Sequence, residues 1–281
     1  MITFTSLGKL GRLGNQMFQI ASTIGISRRI GTGYCFPEWE YQDFFTKKLQ
    51  EMVIVPQMHG DEGKSDYRDL RGIMDPSINV NLYGYFQSHL YFNHCEEEAL
   101  SYFELKPELI NYILDKYPDI KNKTSIHVRR GDYLVLQEYH PVQTIEYYKQ
   151  AIEHIGNSHE FYIFSDDIEW CKENFKDYNC TFIEERPHDK EETVTVNENL
   201  REANSRKFLK EDVIELFMTS LCKNNIIANS SFSWWGAYLN KNKDKKVVAP
   251  SRWFTEARVA QSYHDKDNHL KHRIPESWKI I

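Results

Sequence analysis

Short blocks of apolar and polar residues follow one another along this chain, and their period switches repeatedly between two and about 3.6 residues. Ile2 to Ser6 reads as a strand, and a glycine-rich stretch, Gly8-Lys9-Leu10-Gly11-Arg12-Leu13-Gly14-Asn15, follows it. Met17, Phe18, Ile20, Ala21, Ile24 and Ile26 then give a broad apolar face to a helix from Gln16 to about Arg29, with Asn15 as its N-cap. From Tyr34 to Leu82 the pattern is aromatic and irregular and predicts only weak elements. Tyr83 to Ser88 reads as a strand or its exit loop, and Pro107 to Tyr117 as a short helix. Pro118 to Lys123 is the best linker candidate.

The second half alternates more regularly. Strands are expected at Lys123–Val128, Phe161–Phe164, Cys180–Glu184, Asn225–Asn229 and Lys246–Pro250. Between them fall helices at Thr144–Ile155, Ile168–Phe175, Asp212–Lys223 and Phe232–Leu239. Strand–helix alternation over this length predicts an α/β chain with a doubly wound parallel sheet. Residues 186–210 are mostly charged or polar without an apolar period, and read as an inserted loop. A division follows into an N-terminal domain, 1–121, and a C-terminal domain, 122–281, that carries the insertion.

Composition narrows the class. A net charge of -6 argues against broad nucleic-acid binding, which needs a basic footprint, although a local site for a small anion is compatible with it. Cys35, Cys95, Cys171, Cys180 and Cys222 are scattered, odd in number and without a CxxC pair, which fits reduced thiols better than disulfides or zinc. The first residues lack the basic and apolar regions of a signal peptide, and no stretch approaches the roughly 20 apolar residues of a membrane span. The expectation is a cytoplasmic protein with at most peripheral membrane association, were its acceptor lipid-linked.

The most telling stretch is His127-Val128-Arg129-Arg130-Gly131-Asp132-Tyr133. It places two arginines at the carboxyl end of a strand, where open α/β sheets bind ligands. Their planar forks match a phosphate or a carboxylate. A surface pair bridging to Asp132 is the plainer alternative. Gly8, Gly11 and Gly14 lie between strand and helix, as a ligand cradle or simply a tight turn. They do not form the GxGxxG dinucleotide fingerprint. Asn229-Ser230-Ser231-Phe232-Ser233-Trp234-Trp235-Gly236 also joins a strand to a helix. Ser230 and Ser231 there offer hydroxyls and amides to an anion, or Ser231 caps the helix. Trp234 and Trp235 read as core before ligand platforms. Asp166-Asp167 admits three readings: a cap, a Mg²⁺ site on a nucleotide, or an acceptor for the edge of guanine. The arginine pair and the two strand-to-helix turns suit one anion, and a diphosphate is the natural candidate.

At this point the chain resembles a known family. Gly11–Gln19, Gly84-Tyr85-Phe86-Gln87-Ser88, the 127–133 stretch, Phe164-Ser165-Asp166-Asp167 and Ile226–Ala237 occur in the order seen in the α-1,2-fucosyltransferases of glycosyltransferase family 11. The resemblance covers nearly the whole chain; the 186–210 segment looks longer than the family's usual connection. It implies two Rossmann-like domains in a GT-B-like architecture. It implies inverting transfer of L-fucose from GDP-β-L-fucose to O2 of a terminal galactose, with no metal or other cofactor. By the same resemblance Arg129 contacts the β-phosphate and Arg130 supports the motif. His127 and one of Asp166 or Asp167 lie near the guanosine, while Ser230, Ser231 and Phe232 line the diphosphate. Gly14 and Asn15 approach it from the first domain. Asp132 is a candidate base or an orienter of the arginines. The implied partners are GDP-fucose and a galactose-terminated glycan.

Overall fold

The computed structural model describes residues 1–62, 67–71, 74–156, 159–184, 209–261 and 270–281. They divide into two compact units, one of Met1–Lys106 with Gln261–Pro275, the other of Pro107–Ala260 with Glu276–Ile281. The first unit holds strands β1 (Ile2–Thr3), β2 (Tyr34–Cys35), β3 (Met58–Asp61) and β4 (Val80–Tyr83), with helices α1 (Leu13–Ile30) and α2 (Glu96–Ser101). The strands form one parallel sheet in the order β2-β1-β4-β3.

Helix α1 is buried along nearly its whole length. Its polar side chains are therefore all committed to partners. Gln16 donates to the Gly11 carbonyl (3.1 Å) and accepts from the Trp39 indole (2.8 Å). Gln19 donates to the Leu10 carbonyl at 2.9 Å, and Ser22 to that of Phe86 at 3.0 Å. These bonds staple the glycine-rich loop to the helix and draw its first turn back to Leu13. Asn15 is thus inside the helix; Arg12 is the N-cap and makes no side-chain capping bond. Gly31 closes the helix in the left-handed conformation, φ 76°.

The second unit opens with α3 (Pro107–Lys116) and continues β5 (Thr124–Val128), α4 (Ile145–Ile155), β6 (Phe161–Ser165), α5 (Ile168–Asn174) and β7 (Cys180–Phe182). After residues 185–208 come α6 (Leu209–Leu221), β8 (Asn224–Ile226), α7 (Ser231–Tyr238), β9 (Val247–Ala249) and β10 (Lys279–Ile280). Most of the expected polar insertion, 186–208, lies outside the described residues, and its last two, Leu209 and Lys210, begin α6. Helix α3 falls in this unit because Ile113 is fully buried and the helix packs on α6. The contact boundary therefore precedes α3 rather than following it at 121.

All six strands of the second sheet are parallel, in the order β10-β9-β8-β5-β6-β7. Counting from β5, this is the order of the dinucleotide-binding Rossmann sheet, whose switch point separates its first and fourth strands, here β5 and β8. Ile126, Val128, Phe161, Ile163, Ile226 and Val248 of the strands pack with Tyr148, Ala151, Ile152 and Ile155 of α4. Burial of all five β5 residues is what a doubly covered parallel strand requires. Trp234 and Trp235 are fully buried, as the core reading expects, and the five cysteines are free.

Candidate active site

Each sheet brings motif residues to its carboxyl edge beside a switch in strand order. In the second unit, β5 ends at Val128 and delivers Arg129 and Arg130 into the following turn. Arg129 is held at both ends of its fork. One terminal nitrogen lies 2.6 Å from Asp132 Oδ1 and the other 2.8 Å from Asp166 Oδ2. The guanidinium also lies 5.5 Å from the centre of the Tyr133 ring. Burial works against the Arg129 charge, but the fields of Asp166 and Asp132 outweigh it and hold the group above its ordinary pKa. The converse holds at Asp166. Burial would raise its pKa, yet Arg129 and the Arg130 amide keep it below the usual carboxylate range.

Arg130 donates its Nε–H to Asp167 at 2.9 Å, lies 4.3 Å from the Trp170 ring centre, and gives its amide to Asp166 Oδ1 at 2.8 Å. Asp167 also caps α5, accepting the Trp170 amide at 3.3 Å. The two aspartates thus act first as partners of the arginines, with a cap added at Asp167. Among the described residues no three His, Cys, Asp or Glu side chains gather as metal ligands. Gly131 fits because it has no Cβ: one built there meets Asp166 Oδ2 at 2.7 Å.

Across the switch point, β8 runs into Ala228-Asn229-Ser230 and α7. Ser230, not Ser231, is the N-cap, and it makes no side-chain capping bond. The Ser230 hydroxyl is thereby uncommitted to the helix at a terminus where the dipole favours anions. Phe232 lies in the first turn of α7, its ring 5.4 Å from that of His127. Asn229, 1% exposed, organises the edge. It donates to the carbonyls of Pro141 and Trp253, both at 3.0 Å, and accepts from Gln143 at 3.0 Å. Its own carbonyl receives the Tyr133 hydroxyl at 2.9 Å. Tyr133 in turn stacks on His140, with centroids 4.6 Å apart. The second unit therefore assembles His127, Arg129, Arg130, Asp132, Asp166, Asp167, Ser230, Ser231 and Phe232 at one sheet edge. Two positive groups there face three carboxylates, so the guanidiniums are internally compensated. An arginine carries five donors, and two carboxylates do not exhaust it.

Gly14 and Asn15 belong to the first unit. Gly8 and Gly11 take left-handed φ values of 79° and 77°, while Gly14 lies in the first turn of α1. Asn15 Oδ1 accepts from Gln87 at 2.5 Å, and Gln87 Oε1 accepts from Arg273 at 2.5 Å. The turn before Gln87 wraps a carboxylate. Tyr85 donates its amide to Glu62 Oε2 at 2.6 Å, and the amides of Phe86 and Gln87 also bond to Glu62. Gly84 sits at φ 145° with no room for a Cβ beside Glu62, and Phe86 is held at φ 50°, strained for a side-chain-bearing residue. Burial pushes the Glu62 carboxyl up despite those amides and the Arg273 charge.

Sequence reasoning did not single out Tyr133, Gln143, Glu62, Gln87 or Arg273 as site-building groups. Tyr133 and Gln87 stood inside quoted motifs and were recoverable from them. Gln143, Glu62 and Arg273 carry no local pattern, because tertiary contacts bring them to their partners.

The sequence profile of Glycosyl transferase family 11 matches residues 3–272. The chain is 33% identical over 185 residues to the O-antigen biosynthesis glycosyltransferase WbnK of Escherichia coli, covering 62% of this chain and 55% of WbnK. It is 29% identical to an alpha-1,2-colitosyltransferase of Escherichia coli, over 87% of this chain and 90% of that protein. It is 25% identical to galactoside alpha-(1,2)-fucosyltransferase 1 of Alouatta caraya, over 82% of this chain and 63% of that one. The chain thus spans little more than half of WbnK and under two thirds of the primate enzyme. Among solved structures, the fucosyltransferase NodZ from Bradyrhizobium matches with a TM-score of 0.50 at 11% identity, covering 85% of this chain and 91% of NodZ. A mutant of Arabidopsis thaliana FUT1 in complex with GDP matches with 0.51 at 13% identity, over 88% and 70% of the two chains. These two likenesses show the fold.

Proposed function

Because the chain belongs to glycosyl transferase family 11, we propose that it transfers L-fucose from GDP-β-L-fucose to O2 of a terminal galactose, inverting the anomeric centre without a metal. One observation carries this reading: Arg129 and Arg130 stand beside the Ser230 helix terminus at the switch point of a Rossmann-type sheet. The galactose O2 attacks C1 of fucose as the bond from C1 to the phosphate oxygen breaks, and GDP departs with the electron pair. Positive charge grows on the sugar and negative charge on the diphosphate. Arg129, already fixed by two carboxylates, meets the β-phosphate and binds it more strongly as that charge develops.

In this reading Arg130 supports the motif, His127 and Asp166 or Asp167 lie near the guanosine, and Ser230, Ser231 and Phe232 line the diphosphate. Gly14 and Asn15 keep their assignment as donor contacts. Asp132 orients Arg129, an assignment its 2.6 Å ion pair supports, and is the first carboxylate to test as acceptor base. A second reading replaces fucose by colitose, and the 29% identity to the alpha-1,2-colitosyltransferase over most of both chains favours it.

The test incubates the protein with GDP-fucose or GDP-colitose and a panel of β-galactosides in EDTA. An α-1,2-linked product from GDP-fucose supports the first reading, and one from GDP-colitose alone supports the second. No transfer from either donor, or transfer only to a polypeptide, overturns both. Arg129→Ala is expected to lower turnover about 100- to 1000-fold with the fold intact. Calorimetry with GDP separates an enzyme from a glycan-binding module, which would not take the nucleotide.

A further inference from the structure

Among the described residues, the opposite, amino edge of the second sheet carries a positive surface that its own carboxylates neutralise only in part. Lys123, Lys223 and Lys246 are the residues immediately before the neighbouring strands β5, β8 and β9. Backbone bonds fix them side by side: the Lys223 amide donates to the Lys123 carbonyl at 2.7 Å, and the Asn225 amide to that of Lys246 at 3.0 Å. Asn242 donates to the Lys223 carbonyl at 3.0 Å, which folds the turn Lys241-Asn242-Lys243-Asp244-Lys245-Lys246 against the same edge. Lys123 is neutralised by Asp119, at 2.6 Å, and by Glu160. Lys245 spends its ammonium on the Ala237 and Asn240 carbonyls at the end of α7.

Lys121, Lys223, Lys241, Lys243 and Lys246 are exposed and make no ion pair within 4 Å among the described residues. Among the described residues of these turns, seven lysines (121, 123, 223, 241, 243, 245, 246) stand against Asp119, Glu160 and Asp244, a net of +4 in a chain whose total is -6. The field is felt by a neighbour: burial, Lys223 and Lys246 together hold His159 below its ordinary pKa.

We propose that this lysine edge is a docking surface for an anionic lipid bilayer. The free cations are all lysines, compact charges on flexible stems, rather than the planar forks that grip one phosphate in register. Single-stranded nucleic acid asks for stacking faces among the charges, and the 241–246 turn has none. A surface patch adsorbs within a Debye length of an anionic membrane even on a chain whose total charge is -6. The surface is separate from the arginine site, which lies at the carboxyl edge of the same strands. It goes beyond the proposed transfer reaction, and its test needs no transfer assay.

The experiment is co-sedimentation of the whole chain with vesicles of phosphatidylcholine alone or with about 30% phosphatidylglycerol, beside a DNA duplex control. Binding is expected only to the phosphatidylglycerol vesicles. It should weaken at least about tenfold when salt rises from about 0.05 to about 0.5 M. The variant carrying Lys223→Glu, Lys241→Glu, Lys243→Glu and Lys246→Glu should weaken it as much, with GDP affinity and melting temperature unchanged. If that variant fails to fold, the same four positions as Gln replace it. Equal binding to both vesicle types, undiminished binding by the folded variant, or DNA bound as tightly as the anionic vesicles would each overturn the proposal.

Discussion

Arg129 occupies a position where burial opposes its charge and where two carboxylates restore it. The result is a guanidinium whose orientation is set before any ligand arrives, and preorganised charge of this kind needs no rearrangement as the leaving group ionises. Gly131 decides whether that geometry exists. A methyl at this position lies 2.7 Å from Asp166 Oδ2 and would push the carboxylate away from both Arg129 and the Arg130 amide. Gly131→Ala is therefore expected to destabilise by about 1–3 kcal/mol, as overpacking does, and to weaken GDP binding in parallel. Thermal melting and calorimetry check the two effects. A loss of stability with GDP affinity intact would mean that Asp166 does not set the working geometry of Arg129.

At the level of elements, the connector from β8 to α7 depends on one buried amide. Asn229→Ala strands the carbonyls of Pro141 and Trp253, each an unsatisfied buried acceptor worth about 1–3 kcal/mol. Asn229→Asp loses the same two donors and adds a buried charge, so urea unfolding should rank wild type above Ala and Ala above Asp. Were Asp the milder change, the amide would not be donating as described. The second-half strands and helices were legible because each spans enough residues to express its period, as β5, β6 and α4 do. Of the first sheet only β1 was legible, within the strand expected at Ile2–Ser6: β2 is two residues long and β3 is mostly exposed, so neither alternation nor a continuous apolar run marks them. Asn15 reads locally as a cap, but Gln16 and Gln19 bind carbonyls of the preceding loop and extend the helix past it. The motif positions of the candidate site were visible in the sequence. The pairing of Arg129 with Asp166 and Arg130 with Asp167 was not, since strand order alone brings β5 and β6 side by side.

Across the whole molecule, carboxylates held by cations set the acid limit of stability. In the first unit Glu98 accepts both arms of Arg28, at 2.8 and 2.7 Å, and the Tyr34 hydroxyl at 2.7 Å. The Arg28 hydrogen bonds are the main cause that brings its pKa from the ordinary 4.5 to about 2. In the second unit Asp166 is lowered too, against its burial, by Arg129. A carboxyl depressed in the folded state stabilises above its unfolded pKa, and loses that contribution as pH falls through the folded value. For Glu98 the window runs from about pH 5 down to about 2. Glu62 has the opposite sign: burial raises it, so its ionisation works against the fold and protonation relieves that cost as pH falls. With Glu98 30% exposed, solvent screening leaves about 1 kcal/mol of its contribution at neutral pH. Glu98→Gln should consequently lower the melting temperature at pH 7, with the deficit shrinking below about pH 5 and closing only as pH falls through about 2, where Glu98 becomes neutral in the folded protein too. A deficit of the same size at both ends would assign the effect to packing around Tyr34 and Tyr102 rather than to charge.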